Sequence, residues 1–179
     1  MIISGFQKLT LLDFPGPTAC TVFTCGCNMR CPFCHNTPLV LGTAEEHYSE
    51  DEIFSFLKKR QGLLDGVAIT GGEPLLQKDI IAFIKKIKEL GYAVKLDTNG
   101  SFPERLQEII SEGLVDYIAM DIKNCKEKYS LTAGADIDFA LIEKSTELIK
   151  NSGIPHEFRT TVVRELHTEE DIISIARFL

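Results

Sequence analysis

The sequence has no long apolar run and no recognisable export signal. No apolar segment approaches the ~18 residues that a membrane-spanning helix needs, and Met1 to Gly5 lack the basic start and apolar core of a secretory signal. Internal repeats, low-complexity tracts and Pro/Gly/Ser-rich linkers are also absent. We therefore expect a soluble, cytoplasmic protein that has no membrane partner.

Positive charge is scarce relative to negative charge. The 19 Lys and Arg residues against 26 Asp and Glu residues give a net charge of −7, which speaks against a general nucleic-acid binder and leaves only a local basic patch for such a role. Apolar residues make up 44% and charged residues 25%, the usual globular mixture. At roughly 150 residues per domain, we expect one domain over residues 1–179, with residues 1–16 as an N-terminal extension and residues 17–179 as βα repeats.

Strand-like and helix-like segments alternate along the chain. The predicted strands are residues 18–24, 66–70, 93–96, 115–120 and 157–163, and the predicted helices are residues 49–60, 78–90, 103–112 and 138–150, with a last helix from about residue 168. This order favours an α/β fold of parallel strands with helices outside. Five strands are too few for a closed eight-stranded barrel, so we expect an open or partial barrel. The last residues, 175–179, contain no helix terminator, and we expect a shortened chain or a fragment.

Cysteine is unusually concentrated. Five of the six cysteines lie between Cys20 and Cys34. Without an export signal, and with a core large enough to fold unaided, such cysteines more often hold a metal or cluster, or perform redox chemistry, than form disulfides.

Cys27, Cys31 and Cys34 have the spacing C-x3-C-x2-C. Three thiolates on one loop can bind three irons of a cubane cluster and leave the fourth open, whereas fully ligated clusters ordinarily use four cysteines. The alternative is a zinc site with Cys25 or His35 as fourth ligand.

Polar groups follow the predicted strands. After the first four come the cysteine loop, then Gly71-Gly72-Glu73-Pro74, Asp97-Thr98-Asn99-Gly100 and Asp121-Ile122-Lys123. Because the carboxyl ends of parallel strands share one face, we expect these groups to meet around one cavity. Taken singly, each motif also has a structural explanation, since the first two suit tight turns and Lys123 could be a solvated charge.

Residues 23–27 and 34–36, which flank the three cysteines, resemble the cluster loop of the radical S-adenosylmethionine superfamily, and more narrowly that of the activating enzymes of glycyl-radical enzymes. Gly5-Phe6-Gln7-Lys8 and Leu12-Asp13-Phe14-Pro15-Gly16 are similar to a stretch in the activating proteins of anaerobic ribonucleoside-triphosphate reductase. The resemblance implies a partial (β/α) barrel of five to six parallel strands, usually continued past this C-terminus by a sixth strand.

The resemblance also implies a reaction. An electron from a low-potential donor such as flavodoxin or ferredoxin reduces a [4Fe-4S] cluster, which cleaves S-adenosylmethionine into methionine and a 5′-deoxyadenosyl radical. This radical abstracts a hydrogen atom from a glycine Cα of a glycyl-radical enzyme, here anaerobic ribonucleotide reductase. The alternatives are a pyruvate formate-lyase-type activase, a radical enzyme acting on a small molecule, and a non-enzymatic zinc-binding module.

The resemblance assigns roles to single residues. Cys27, Cys31 and Cys34 would bind the cluster, Phe33 would lie near the adenine, and Gly71, Gly72, Glu73 and Pro74 would meet the methionine amino group. Asp97, Thr98 and Asp121 match residues that help to hold a monovalent cation in pyruvate formate-lyase activating enzymes. Lys123 would face the cofactor carboxylate, and Arg159 is a further expected contact.

The other cysteines and histidines are expected to lie outside the ligand set. Cys25 stands where the family often has Gln, Cys20 is expected to be buried in a strand and Cys125 to be exposed. We expect His35 near the cluster but not on it. The remaining histidines are expected on the surface or in loops: His47, His156 and His167.

Overall fold

A computed structural model describes residues 1–43 and 48–179, so that His47 lies outside the described residues. It contains a six-stranded sheet whose spatial order follows the chain order. The strands are β1 (Ile3–Thr10), β2 (Ala19–Thr24), β3 (Gly66–Gly71), β4 (Ala93–Thr98), β5 (Tyr117–Asp121) and β6 (His156–Arg159). Strands β2 to β6 run parallel, and β1 pairs with β2 in the antiparallel direction. Sequential parallel strands are the arrangement of (β/α) barrels, and this sheet forms part of one.

Seven helices are found in the described part of the chain. They are α1 (Thr37–Leu41), α2 (Glu50–Arg60), α3 (Ile80–Glu89), α4 (Pro103–Ser111), α5 (Tyr129–Ala133), α6 (Phe139–Asn151) and α7 (Glu169–Phe178). Ser49 and Thr168 begin α2 and α7 with reciprocal capping boxes, which satisfy amide groups that a helix start leaves free. The helices α1 and α5 have five residues each and are too short for periodicity to reveal. None of the described helices is long and apolar enough to cross a membrane.

The core lies between the sheet and the helices. Consecutive β3 and β4 side chains are buried, among them Val67, Ile69 and Leu96. They belong to the same apolar cluster as Phe83 and Ile84 of α3, which contacts β4. Burying one such side chain stabilises the fold by roughly 1.5–3 kcal/mol. The apolar layer therefore anchors the strands whose carboxyl ends carry the polar motifs.

The α/β class is confirmed, but two boundaries differ from the sequence prediction. Residues 1–16 are not only an extension, because residues 3–10 form β1 at the edge of the sheet. Its exposed stretch at Gln7, Lys8 and Leu9 hides the usual alternation. The predicted strand 157–163 ends at Arg159, since β5, its only neighbour in the described residues, ends at the register partner Asp121.

The Leu12-Asp13-Phe14-Pro15-Gly16 stretch forms the turn after β1. The Thr10 hydroxyl accepts hydrogen bonds from two following amides, and Asp13 accepts one from Thr21 at 2.5 Å. Phe14 is buried, and its ring packs so closely on Gly66 that a Cβ there would approach it within 2.8 Å. Several residues that carry the family resemblance in this stretch therefore have a packing role.

Candidate functional site

The carboxyl ends of β2 to β6 meet around one cavity of about 270 Å³. The cysteine loop and the ends of the next three strands all contribute to it, as their parallel order predicts. The lining residues are Cys27, Met29, Cys31, Phe33, Cys34, His35, Asn36, Val40, Thr70, Gly71, Gly72, Asp97, Thr98, Asn99, Asp121, Lys123, Arg159 and Thr161. Of the predicted site residues, only Glu73 and Pro74 are missing from this lining.

Backbone hydrogen bonds hold the cysteine loop at its start and near its middle. Gly26 donates to the Leu39 carbonyl at 3.0 Å, and Arg30 donates to the Ala133 carbonyl of α5 at 2.8 Å. Gly134, directly after α5, packs so tightly on the Arg30 backbone that a Cβ there would collide with the Arg30 carbonyl oxygen. The two short helices α1 and α5 thus clamp the loop that carries the three thiols.

The three thiols fit an iron–sulfur cluster chemically. All are free, line the same cavity and lie on one loop. Burial raises the pKa of Cys27 and Cys31, and the nearby Lys123 ammonium offsets only part of this rise. A cationic centre such as iron would stabilise the thiolate forms of these buried residues. Within residues 1–43 and 48–179, no three His, Cys, Asp or Glu side chains are grouped so that they could hold a single metal ion.

Cys25 does not share the position of the other three. Its thiol donates to the Leu39 carbonyl at 3.4 Å, and it is absent from the cavity lining. His35 lies at the cavity, as expected. The expectation that Cys25 is outside the ligand set agrees with this placement and stays a prediction.

The Gly71-Gly72 turn lies directly against the cysteine loop. Gly72 donates to the Thr24 carbonyl at 2.9 Å, and the next amide, that of Glu73, donates to the Gly26 carbonyl at 2.8 Å. A Cβ on Gly72 would collide with the Gly26 carbonyl oxygen. Only glycine permits this approach without displacement, which joins the turn rigidly to the thiol loop.

Glu73 is fully buried and is not among the residues that line the cavity. Its Oε1 accepts hydrogen bonds from the Leu75 amide at 3.0 Å and the Thr98 hydroxyl at 2.9 Å, and its Oε2 accepts one from the Asn99 amide at 2.7 Å. Burial raises the pKa of Glu73 to about 7, against the lowering effect of these hydrogen bonds. Glu73 therefore ties the end of β3 to the end of β4, and its contact with a cofactor ammonium stays a prediction.

A network of charges occupies the other side of the cavity. Arg159 contacts Asp121 at 2.9 Å and Asp97 at 3.3 Å, and Lys123 contacts Asp121 at 3.0 Å. Burial opposes the ionisation of Asp121, but Lys123 and Arg159 outweigh it and lower its pKa. Burial likewise disfavours the charge on Lys123, but Asp121 and Cys31 outweigh it and raise the pKa of Lys123. Lys123 thus keeps an ammonium group next to the thiols.

The residues expected to hold a monovalent cation do not fit one as they are arranged. The Thr98 hydroxyl donates to Glu73 and accepts from the Gly100 amide at 3.1 Å, so it is already used. The two carboxylates expected beside it, Asp97 and Asp121, are bridged by Arg159. The side chains that would surround a monovalent cation therefore already have partners in this arrangement.

Sequence reasoning expected the motif that contains Asn99 at the cavity but assigned this residue no role of its own. Its amide donates to Asn28 at 2.9 Å and to the Cys27 sulfur at 3.7 Å, and it is 6% exposed. Its contact with the cysteine loop depends on the juxtaposition of β4 with that loop, which the motif alone does not reveal.

Cys125, which was expected to be exposed, is buried, and His167, which was expected on the surface or in a loop, lies buried in the loop before α7. Cys125 is 7% exposed and its thiol donates to Asp171 at 3.3 Å. His167 is also 7% exposed: its Nδ1 accepts from the Val163 amide at 3.1 Å, so its Nε2 donates to the Lys123 carbonyl at 2.8 Å. The prediction for Cys125 was wrong, and the burial of both residues arises because the chain after β6 folds back over the β5 end, which local sequence does not reveal.

Comparison with known proteins agrees with this geometry. Residues 21–179 match the model of the radical SAM superfamily. A protein of Methanocaldococcus jannaschii described as a glycyl-radical enzyme activating enzyme is 37% identical over 98% of this chain and 74% of its own length. The pyruvate formate-lyase-activating enzyme of Listeria monocytogenes is 33% identical over 77% of this chain and 61% of its own length.

Solved structures share the fold. The structure described as native anSMEcpe with bound AdoMet superposes with a TM-score of 0.66 at 21% identity, over 87% of this chain and 45% of that one. The region that matches the family model includes the cysteine loop. The solved structure shares the fold whose strand ends surround the cavity. The chain belongs to the radical S-adenosylmethionine superfamily of [4Fe-4S] oxidoreductases, among the activating enzymes of glycyl-radical enzymes.

Proposed function

We propose that this protein generates a glycyl radical on anaerobic ribonucleoside-triphosphate reductase. The main support for a radical-generating site is that three free thiols and the polar ends of four further strands surround one cavity. The bound cofactors supply the reductive cleavage of S-adenosylmethionine that leads to hydrogen-atom abstraction from a glycine Cα. The chain supplies the ligands, the orientation and the electrostatics.

The thiols of Cys27, Cys31 and Cys34 hold the cluster in this proposal. Lys123 interacts electrostatically with both Cys27 and Cys31, so its ammonium group can stabilise thiolates and receive the cofactor carboxylate on the same side of the cavity. Phe33 offers an apolar face to the adenine.

The Gly71-Gly72 turn presents backbone polar groups to the amino acid part of the cofactor. Because the glycines have no side chains, a ligand can approach the backbone closely. Glu73 and Pro74 lie beneath this surface and hold the turn against β4. In this proposal Glu73 acts on the ammonium group of the cofactor through the position of its carboxyl, which hydrogen bonds from Thr98 and Asn99 fix.

Support for ribonucleotide reductase as partner comes from the N-terminal resemblance, and support for a pyruvate formate-lyase partner comes from the Listeria relative. The electron donor in either case is a low-potential protein such as flavodoxin or ferredoxin. The chain spans 74% of the length of one relative and 61% of the length of the other. Their names therefore do not decide which glycyl-radical enzyme this chain activates, and the two candidates are compared in one assay.

The test uses the reconstituted protein, reduced without oxygen and supplied with S-adenosylmethionine. It is mixed separately with anaerobic ribonucleotide reductase and with pyruvate formate-lyase, and glycyl radical formation is measured by electron paramagnetic resonance. We expect the radical doublet on the reductase, and none with the Cys31→Ala variant. A doublet on pyruvate formate-lyase alone would reassign the partner, and no doublet on either, with cofactor cleavage intact, would contradict activation of these enzymes.

A further inference from the structure

Charged side chains from three strands share the inner face of the sheet next to the cofactor cavity. Lys95 and Asp97 are two residues apart on β4, and Glu157 and Arg159 are two residues apart on β6. Side chains at such spacing point to the same side of a strand. Asp121 of β5 lies between them, in register with Arg159.

The acids and bases of this face balance. Lys95 contacts Asp97 at 2.5 Å and Glu157 at 4.0 Å, and Arg159 contacts Glu157 at 3.7 Å besides its two aspartates. Together with Lys123, the three bases Lys95, Lys123 and Arg159 face the three acids Asp97, Asp121 and Glu157. These six side chains therefore carry no net charge when all are ionised, so this face offers little attraction to a free cation.

Arg159 connects the two carboxylates that a metal cation would otherwise join. Its Nε contacts Asp121 and its Nη2 contacts Asp97, so two different nitrogens of one planar group serve the two acids. A guanidinium group stays charged at all physiological pH values and offers several donors in a fixed geometry. The Asp97 side chain is 16% exposed, which limits its access to ions from solvent.

We propose that the Arg159 guanidinium replaces a monovalent cation between Asp97 and Asp121, so that this chain binds S-adenosylmethionine without added potassium or sodium. The proposal rests on the proposed cofactor function of the cavity. Arg159 acts as a positioning residue, because it holds two carboxylates that line the same cavity as Lys123.

The experiment measures S-adenosylmethionine binding to the oxidised, cluster-loaded protein in potassium chloride and in tetramethylammonium chloride at equal ionic strength. The wild type should bind equally in both salts. Arg159→Ala removes the charge that bridges Asp97 and Asp121, although each acid keeps one lysine contact. The variant should therefore bind about tenfold or more weakly in the tetramethylammonium salt. Potassium should restore part of that loss, because the variant exposes two carboxylates without a bridging charge.

Arg159→Lys keeps a charge and should show no potassium response, and Arg164→Ala removes an exposed arginine as a matched control. The thermal midpoint of the cluster-free Arg159→Ala variant gives a second measurement that needs no cofactor, and it should rise in potassium relative to tetramethylammonium. If Arg159→Ala does not fold, the wild-type salt comparison and Arg159→Lys still decide.

Wild-type binding that requires potassium would overturn the inference, as would an Arg159→Ala variant indifferent to the salt. These outcomes differ from failure of the proposed function. A wild type that binds the cofactor in both salts but forms no glycyl radical would contradict the function and leave the role of Arg159 intact.

Discussion

Replacing Glu73 by Gln tests whether the buried carboxyl at the end of β3 is protonated near neutral pH. The change keeps the shape of the side chain but removes its ability to ionise. One amide oxygen can still accept from Leu75 and Thr98, whereas the new NH₂ group faces the Asn99 amide, which donates to Glu73 at 2.7 Å in the wild type. The variant therefore loses one buried hydrogen bond, at a cost of about 1–3 kcal/mol at any pH.

The free energy of unfolding of the wild type depends on pH through the ionisation of Glu73, which the variant lacks. Burial raises the pKa of Glu73 from 4.5 to about 7 in the folded state. Between these values the unfolded chain has released the proton and the folded chain still holds it, so wild-type stability falls as pH rises. At 1.36 kcal/mol per pKa unit, the full loss is about 3 kcal/mol. About 2 kcal/mol of this loss falls between pH 5.5 and 8.

Urea unfolding of the cluster-free protein under reducing conditions measures the difference at several pH values above the pI of 5.1. We expect Glu73→Gln to be less stable than the wild type at pH 5.5, and the deficit to shrink by about 2 kcal/mol by pH 8. Glu165→Gln, at an exposed position, should show no such trend. A deficit that stays constant, or grows as pH rises, would refute the reasoning and indicate an ionised Glu73.

Substitutions at four further positions test the site. Cys31→Ala should abolish iron loading, while Cys25→Ala should retain it; equal iron loss in both, measured by iron stoichiometry, would indicate four thiolate ligands. Gly72→Ala should lower the free energy of unfolding by about 1–3 kcal/mol, because its Cβ would displace the Gly26 carbonyl; an unchanged urea midpoint would contradict this. His167→Leu should weaken S-adenosylmethionine binding measured at equilibrium, because it removes the hydrogen bond to the Lys123 carbonyl and so loosens the residue expected to face the cofactor carboxylate. His167→Gln can replace this hydrogen bond and should restore most of the binding. Identical binding by the two variants would contradict a positioning role for His167.

Sequence patterns that span only a few residues were sufficient to predict much of the fold. Helix periodicity and the capping box at Ser49 located α2 close to its observed bounds, and the parallel order predicted that the polar strand ends would meet. The thiol spacing of Cys27, Cys31 and Cys34 pointed to a cluster loop before any coordinates. Each of these signals depends on neighbours within a few residues or on a general rule of βα topology.

Features that depend on distant contacts were not predictable in the same way. Lys95 is 2% exposed, although lysine is almost never fully buried unless paired, and its partners lie on other strands or further along its own. Arg159 was expected at the cofactor, but its bridge between Asp97 and Asp121 requires the register of three strands. The burial of His167 depends on the chain returning over β5. Pairings of this kind come from tertiary structure, which a local pattern does not contain.

Electron paramagnetic resonance of the anaerobically reconstituted, reduced protein, with and without S-adenosylmethionine, tests the central claim most directly. If three cysteines hold a [4Fe-4S] cluster with one open iron, the reduced-cluster signal should change when the cofactor is added, and Cys31→Ala should show no such signal. A cluster signal that is indifferent to the cofactor, or stoichiometric zinc in place of iron, would contradict a radical S-adenosylmethionine site in this cavity.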